Sequence, residues 1–213
     1  PGVTVTNSAD WLSTPGADTE TDTELRLRIR NQFAAVGDWH TDAKYRAMIA
    51  EFAGISIDRI YFDHDIPRGP GSADAYILYD ADATPAEQLA AINDYINTQG
   101  NHGHGDDLQA KELSETNHSF TLDVYFQPST GDTRKDEILA EIPLIVECAF
   151  RKNTDYDDAV TKVFPLSRFS ISNLCAEIHA YYDEVRSVVT DQADIVSSLA
   201  VPRLTDITVQ EGS

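Results

Sequence analysis

What this chain lacks most is positive charge: 16 Lys and Arg stand against 36 Asp and Glu, for a formal net charge of −20. A field of that sign repels phosphate backbones, which argues against direct nucleic-acid binding. It argues equally against docking on anionic lipid. It favours solubility, basic protein partners or cation binding, and its plainest reading is a solvated acidic surface. Cysteine is nearly absent. The two present, Cys148 and Cys175, sit in apolar, helix-patterned contexts and read as small core residues, which fits a reducing compartment. No run approaches the ~20 apolar residues of a membrane span, and no signal-peptide pattern is present. The chain opens with Pro1, and Val3-Thr-Val-Thr6 reads like the tail of a strand, so a piece of a longer polypeptide is expected. Catalytic signatures are missing too: there is no Gly-x-Ser-x-Gly elbow and no dinucleotide fingerprint.

What is present suffices for a core. Hydrophobic residues make up 41% of 213, enough for one large or two small domains. An acidic linker runs into a helix expected from Thr21 or Asp22 to Val36, stopped by Gly37. Leu25, Ile29, Phe33 and Val36 recur at helical spacing and predict its buried stripe, with Arg26, Arg28 and Arg30 largely off it. Thr41 or Asp42 starts a second helix that Gly54 ends, with Tyr45, Met48, Ile49 and Phe52 inward. Two short helices so closely joined should pack antiparallel. The period then shifts. Ile55 to Phe62 reads as a strand, Pro67-Arg-Gly-Pro-Gly-Ser72 as a turn, and Ala75 to Tyr79 as a central strand. Thr84-Pro85 opens a helix through Ile96, and Asp107 to Leu113 is a third strand.

In the second half, Phe120, Leu122, Val124 and Phe126 alternate with polar residues and mark a strand with one wet face. A long helix follows from Asp132 or Thr133 to about Phe150, with a kink or break expected at Pro143. Ser170 or Ser172 caps another. Val185 to Thr190 and Arg203 to Val209 are strands separated by a loop ending at Pro202. The expected fold class is α+β: an N-terminal helical pair followed by two small sheet-and-helix, ferredoxin-like modules, divided as 1–54, 55–114 and 115–213.

Four clusters carry residue types suited to chemistry. His102-Gly-His104, beside Asp106 and Asp107 and with His118 further on, holds ligand types for a divalent transition metal. A structural site wants ligands on rigid elements, and this glycine-rich loop predicts an exposed polar loop instead. Asp63-His64-Asp65 resembles a carboxylate–imidazole pair, but no nucleophile or oxyanion site accompanies it, so a polar strand tip is expected. Asp80, Asp82, Asp155, Asp157 and Asp158 lack the loop pattern of a calcium site and read as solvated carboxylates. Arg68-Gly-Pro-Gly71 lacks the Gly-Lys-Ser/Thr ending of a phosphate loop and joins two strands, so it reads as a hairpin connection. The nine tyrosines suit interfaces as well as half-buried sheet positions.

The order of segments carries one resemblance. Gly16-Ala-Asp-Thr-Glu-Thr-Asp-Thr-Glu-Leu-Arg-Leu-Arg-Ile-Arg30 comes first. Asp42-Ala-Lys-Tyr-Arg-Ala-Met-Ile-Ala-Glu-Phe-Ala-Gly-Ile55 follows, with the strand to Tyr61. Then come the Pro70-Gly71 turn, the strand ending Asp80-Ala-Asp82, the helix Glu87 to Ile96, and the closing Pro202-Arg-Leu-Thr-Asp-Ile-Thr-Val209. In this order the chain resembles the baseplate J family of contractile-tailed phages, in its Mu-like form, over nearly its whole length. The Gly-Ala-Asp-Thr-Glu-Thr-Asp stretch is the most specific part. Residues 153–167 match nothing in it, and the histidine loop is longer than the family pattern.

The resemblance implies a wedge protein joining the tail hub to peripheral fibres, represented by its central to C-terminal part. It implies no catalytic residues, no metal and no cofactor. The implied partners are other baseplate wedge and hub proteins, tail fibre proteins and further copies in a ring, with no nucleic acid and no membrane. The implied location is the virion tail baseplate, assembled in the host bacterial cytoplasm. The expected assembly interface is Leu25, Arg26, Ile29, Arg30, Phe33, Tyr45, Ile49 and Phe52, because two short helices alone cannot bury both apolar stripes. Two readings of other classes stay open: a tail-associated hydrolase using His102, His104 or Asp63, and a small-molecule-binding regulatory domain.

Overall fold

The computed structural model describes residues 20–35, 40–65, 67–81, 83 and 85–212, and the fold is α+β. Val3 to Thr6, the linker from Gly16, Val36, Gly37, Asp82 and Thr84 lie outside the described residues. The chain divides into two units. One runs to Ile77 and resumes at Pro85–Glu112; the other takes Leu78–Thr84 and everything from Leu113.

In the first unit, α1 (Asp22–Ala35) and α2 (Asp42–Ala53) pack on each other. Thr41 caps α2, its side chain accepting from the Lys44 N–H at 3.4 Å. Gly54 ends it at φ +67°, returning its N–H to Ala50 O, a conformation that favours glycine. A 3₁₀ turn over Ile57–Arg59 then replaces the first half of the expected strand, and β1 is only Ile60–Asp63. It pairs antiparallel with β2 (Ser72–Ile77), Tyr61 opposite Tyr76. The turn between them needs Gly71: at φ +86°, a Cβ there would stand 2.5 Å from Gly105 O.

β2 is the middle strand, as its apolar run predicts, with β3 (Asp107–Glu112) parallel on its other side. α3 (Ala86–Asn93) continues into a π turn over Asp94–Thr98. Its amide side chains close the outer edge of β3. Asn93 accepts from the Ala110 N–H at 2.8 Å and donates to the Ala110 carbonyl at 2.9 Å, and Asn97 donates to the Leu108 carbonyl at 3.0 Å. An edge strand satisfied in this way is a poor template for another strand. Ile49, Ile60, Ile77, Ile92, Ile96 and Leu108 fill the core.

The second unit is built on β4 (Ser114–Phe126), followed by α4 (Asp132–Ala149), β5 (Arg168–Phe169), α5 (Ile171–Tyr181), β6 (Val185–Thr190), β7 (Ile195–Val196) and β8 (Ala200–Glu211). β4 lies between β6, antiparallel, and β8, parallel; β5 and β7 form a small antiparallel pair. Phe120, Leu122 and Val124 alternate into the core, where α4 packs on β8 and α5 on β6. Ser170 caps α5, accepting from the Asn173 N–H.

Two proline expectations need correction. α4 is one helix through Pro143, so the chain does not break there, although the ring removes the N–H that the Leu139 carbonyl would accept from and crowds that carbonyl. Pro202 lies inside β8, opposite Thr116, and not in a loop. β8 is an edge strand, the place in a sheet where a missing N–H costs no ladder bond. A ferredoxin-like module has four antiparallel strands; among the described residues each main sheet has three, of mixed direction. Among those residues no helix is long and apolar enough to cross a membrane.

Candidate assembly surface

The start of α1 is fixed by a reciprocal cap. The Thr21 N–H and hydroxyl both donate to Glu24 at 2.8 Å, and the Glu24 N–H returns to Thr21 Oγ1 at 3.3 Å, a capping box. Arg28 reaches back with both arms of its guanidinium to Glu20, at 2.8 and 2.9 Å. That hydrogen bond holds the Glu20 carboxyl below its ordinary range. α1 meets α2 through Asn31, which donates to the Ala43 carbonyl at 2.9 Å. Between α1 and the far end of α2 lies an open groove of about 940 Å³, lined among others by Arg28, Asn31, Ala50, Glu51 and Ile57.

The residues expected at the interface differ in exposure. Leu25 is 37% and Ile29 54% exposed, so the buried stripe expected of them is not buried in this chain. Arg26 and Arg30 are exposed beside them. These four form one open ridge, apolar and cationic, on an acidic protein. Tyr45 and Ile49 point the other way and are buried in the first unit's own core. The Tyr45 hydroxyl donates to Asp106 at 2.8 Å; burial first, then that bond, push its phenol far above the ordinary range. Phe52 is half-buried and stacks on Tyr95 at 4.4 Å. The side chain of Phe33 lies outside the described residues.

The other candidates are tied down locally. His64 does not pair with Asp63 or Asp65; its Nε2 stands 3.1 Å from Asp42 Oδ2, while Asp63 accepts from the Asp65 N–H. This pair opens on a pocket of about 310 Å³, which also takes in His40, Tyr45, Ser72 and Asp106. Ser72 is engaged by its own turn, donating to Gly69 O at 2.6 Å and accepting from the Arg68 N–H. His102 Nδ1 bonds to the Gly103 carbonyl. Among the described residues no three His, Cys, Asp or Glu are placed to hold a metal ion. Both cysteines are free thiols; Cys148 donates to Asp157 at 3.3 Å, and burial first raises its thiol.

One polar constellation was missed. Asp74 sits in the central strand at 1% exposure. Arg68 Nη1 donates to its Oδ1 and Lys111 Nζ to its Oδ2 at 2.6 Å; Arg68 also reaches Asp107, Nε to Oδ2, at 2.6 Å. Burial alone would raise the Asp74 carboxyl, but the Lys111 and Arg68 hydrogen bonds overcome it and hold it below its ordinary range. The signal was available: an acid inside Ser-Ala-Asp-Ala-Tyr-Ile must find cations. The arginine of the turn cluster thus closes the hairpin onto the strand beyond it.

No protein-family model matches the chain. The chain is similar to a phage protein: it is 48% identical over 165 residues to "Putative baseplate protein gp29" of Haemophilus phage HP1 (strain HP1c1). The match takes in 76% of this chain and 42% of that protein, so the chain spans less than half of its relative's length.

Proposed function

We propose that the chain is a structural part of a phage tail baseplate. In finer terms it is the central to C-terminal part of a wedge protein of the J-like, Mu-like type in a contractile tail. The observation that carries this is the 48% identity over 165 residues to a protein named for the baseplate. The order of segments from the acidic linker to the closing strand agrees with it. On this reading the protein transforms no substrate and works by contact. Its partners are other wedge and hub proteins, tail fibre proteins and further copies in a ring. It resides in the virion tail after assembly in the host cytoplasm.

The surface assigned to this role is the outer ridge of α1. Leu25 and Ile29 would be buried by a partner, and Arg26 and Arg30 would set register against its carboxylates. Tyr45 and Ile49, already buried, support the ridge from within. The test is reconstitution of the full-length protein with the phage's other baseplate proteins, read by sedimentation. Arg26→Glu with Arg30→Glu should lower incorporation by about tenfold or more and leave the circular dichroism and thermal midpoint of the free protein unchanged. Normal incorporation of that double variant would remove the ridge from the assembly mechanism.

A further inference from the structure

On the second unit, Tyr156, Tyr181 and Tyr182 form a row of edge-on rings, with centroids 5.7 and 4.9 Å apart and planes at 74° and 77°. Tyr182 is buried, and its hydroxyl donates to Glu141 of α4 at 2.8 Å, which anchors the row. Tyr181 is 50% exposed, and Leu144, one turn along α4 from Glu141, is 43% exposed. Burial, then the negative charges of Glu141 and Asp155 among its neighbours, hold the Tyr156 phenol above its ordinary range. Both carboxylates are therefore within electrostatic reach of the rings. Among the described residues neither has an ion-pair partner, while the nearby lysines are engaged elsewhere: Lys152 with Glu147 at 3.6 Å, Lys162 with Asp157 at 2.6 Å.

An open tyrosine face, an open leucine and two carboxylates with no cation beside them among the described residues have a definite complement. A guanidinium stacks flat on an aromatic ring while its fork takes a carboxylate, and an ammonium does both less well. The sign of the field decides between occupants. A second copy, with the same formal charge of −20, is a poorer electrostatic match for this acidic face than a cationic protein, and a nucleic acid is repelled. A cationic protein is drawn in.

We infer that the face made by Tyr156, Tyr181 and Leu144 with Glu141 and Asp155 docks an arginine-bearing segment of a cationic partner protein. Only the partner's being a neighbouring baseplate subunit rests on the reading above; the chemistry of the face stands without it. The test titrates the isotope-labelled full chain with acetylated, amidated hexa-arginine and, in parallel, hexa-lysine, following the tyrosine ring resonances. Hexa-arginine should shift the Tyr156 and Tyr181 ring signals and bind about two- to fivefold more tightly than hexa-lysine. Tyr181→Ala should abolish that preference and Tyr181→Phe retain it. Asp155→Asn should weaken hexa-arginine by about twofold or more, and Asp206→Asn, on β8, should leave it unchanged. If Tyr181→Ala fails to fold, the Phe and Asn variants still decide.

Equal affinity for the two peptides, unshifted ring signals, or an equal loss from Asp206→Asn would reduce the binding to the general pull of an acidic chain and sink the inference. Self-association lost on Tyr181→Ala, with neither peptide moving the rings, would seat a second copy there and equally overturn it. The α1 charge reversal reads the assembly proposal separately, so the two can fail independently.

Discussion

α1 and α4 are both amphipathic on paper, yet they end in opposite conditions. α4 places Ile138, Ile142, Ile145, Val146 and Ala149 on one side, and all are buried. α1 reads Leu-Arg-Leu-Arg-Ile-Arg from Leu25 to Arg30, an alternation of period two wound on a helix. Positions two apart on a helix are separated by about 200°, so Leu25 and Ile29 share one side and Leu27 faces nearly opposite. The half-buried positions of α1 include Glu24, Leu27 and Asn31, spaced i, i+3, i+7, with Asn31 bonded to the Ala43 carbonyl. Among the described side chains of α1, Asn31 bonds to α2 and Leu27 is half-buried, while Leu25 and Ile29 on the other side are exposed. The spacing of apolar residues, more than their number, decides what a helix buries in its own chain and what remains for a partner.

The contrast breaks first at its stronger end. Ile142 is fully buried between α4 and its sheet, and Ile142→Ala should cost about 2–5 kcal/mol. Urea unfolding measures this directly. A cost below about 1 kcal/mol would mean that α4 is loosely seated, and the distinction between the helices would fail.

Within the first unit the same question applies to charge. Asp74→Asn removes the negative charge between Arg68 and Lys111 and one of the two oxygens that accept from them. Because both cations are part-exposed and recover solvent, the loss should be about 1–3 kcal/mol at neutral pH. Its pH dependence follows from the sign. The carboxyl is held below its unfolded value, so its contribution is complete above about pH 4, the unfolded range, and disappears as pH falls through the lower folded value. Wild type and Asp74→Asn should thus converge in acid and separate above it. Parallel stability curves across that window would show that Asp74 is not held by its cations.

What the sequence disclosed divides by range of interaction. Caps and turns are local, and Thr41, Gly54 and Ser170 fall where capping chemistry places them. β6 is Val185–Thr190, the span expected, and β2 is central as its apolar run predicts. The first half of β4, Ser114 to Ser119, is polar and mostly exposed. It carries no periodic signal, and its strand character comes from β8, some eighty residues away in sequence. Pro202 misled for the same reason, since only the sheet order reveals that its strand is an edge. His64 found Asp42 across 22 residues rather than its sequence neighbours, and the Asp63 carboxylate accepts from the Asp65 N–H instead. The expected interface drew on both helices, and which stripe the chain buries itself depends on tertiary packing: Tyr45 and Ile49 of α2 are buried while Leu25 and Ile29 of α1 are exposed.

The edge of β3 gives a smaller effect. Asn93 satisfies both backbone groups of Ala110, and Asn93→Ala would leave them to water at a half-buried edge. The expected cost is about 1–2 kcal/mol, with faster aggregation on heating as the edge opens. Unchanged stability together with unchanged aggregation would show that the amide only decorates the edge.

The smallest expected effect sits where the comparison began. Leu25→Gln with Ile29→Gln replaces two exposed apolar side chains by a residue that favours helix about as well. Part of their apolar area is already in water, and the reciprocal Thr21–Glu24 cap and the Asn31 bond are untouched. Urea unfolding of the free protein should change by no more than about 0.5 kcal/mol, while incorporation beside the other baseplate proteins falls. Chain stability and assembly would then be separated on one helix. A loss above about 1 kcal/mol in the free protein would mean that this side of α1 is packed within the chain itself. The open ridge, and the contrast with α4 that defines it, would then both be lost.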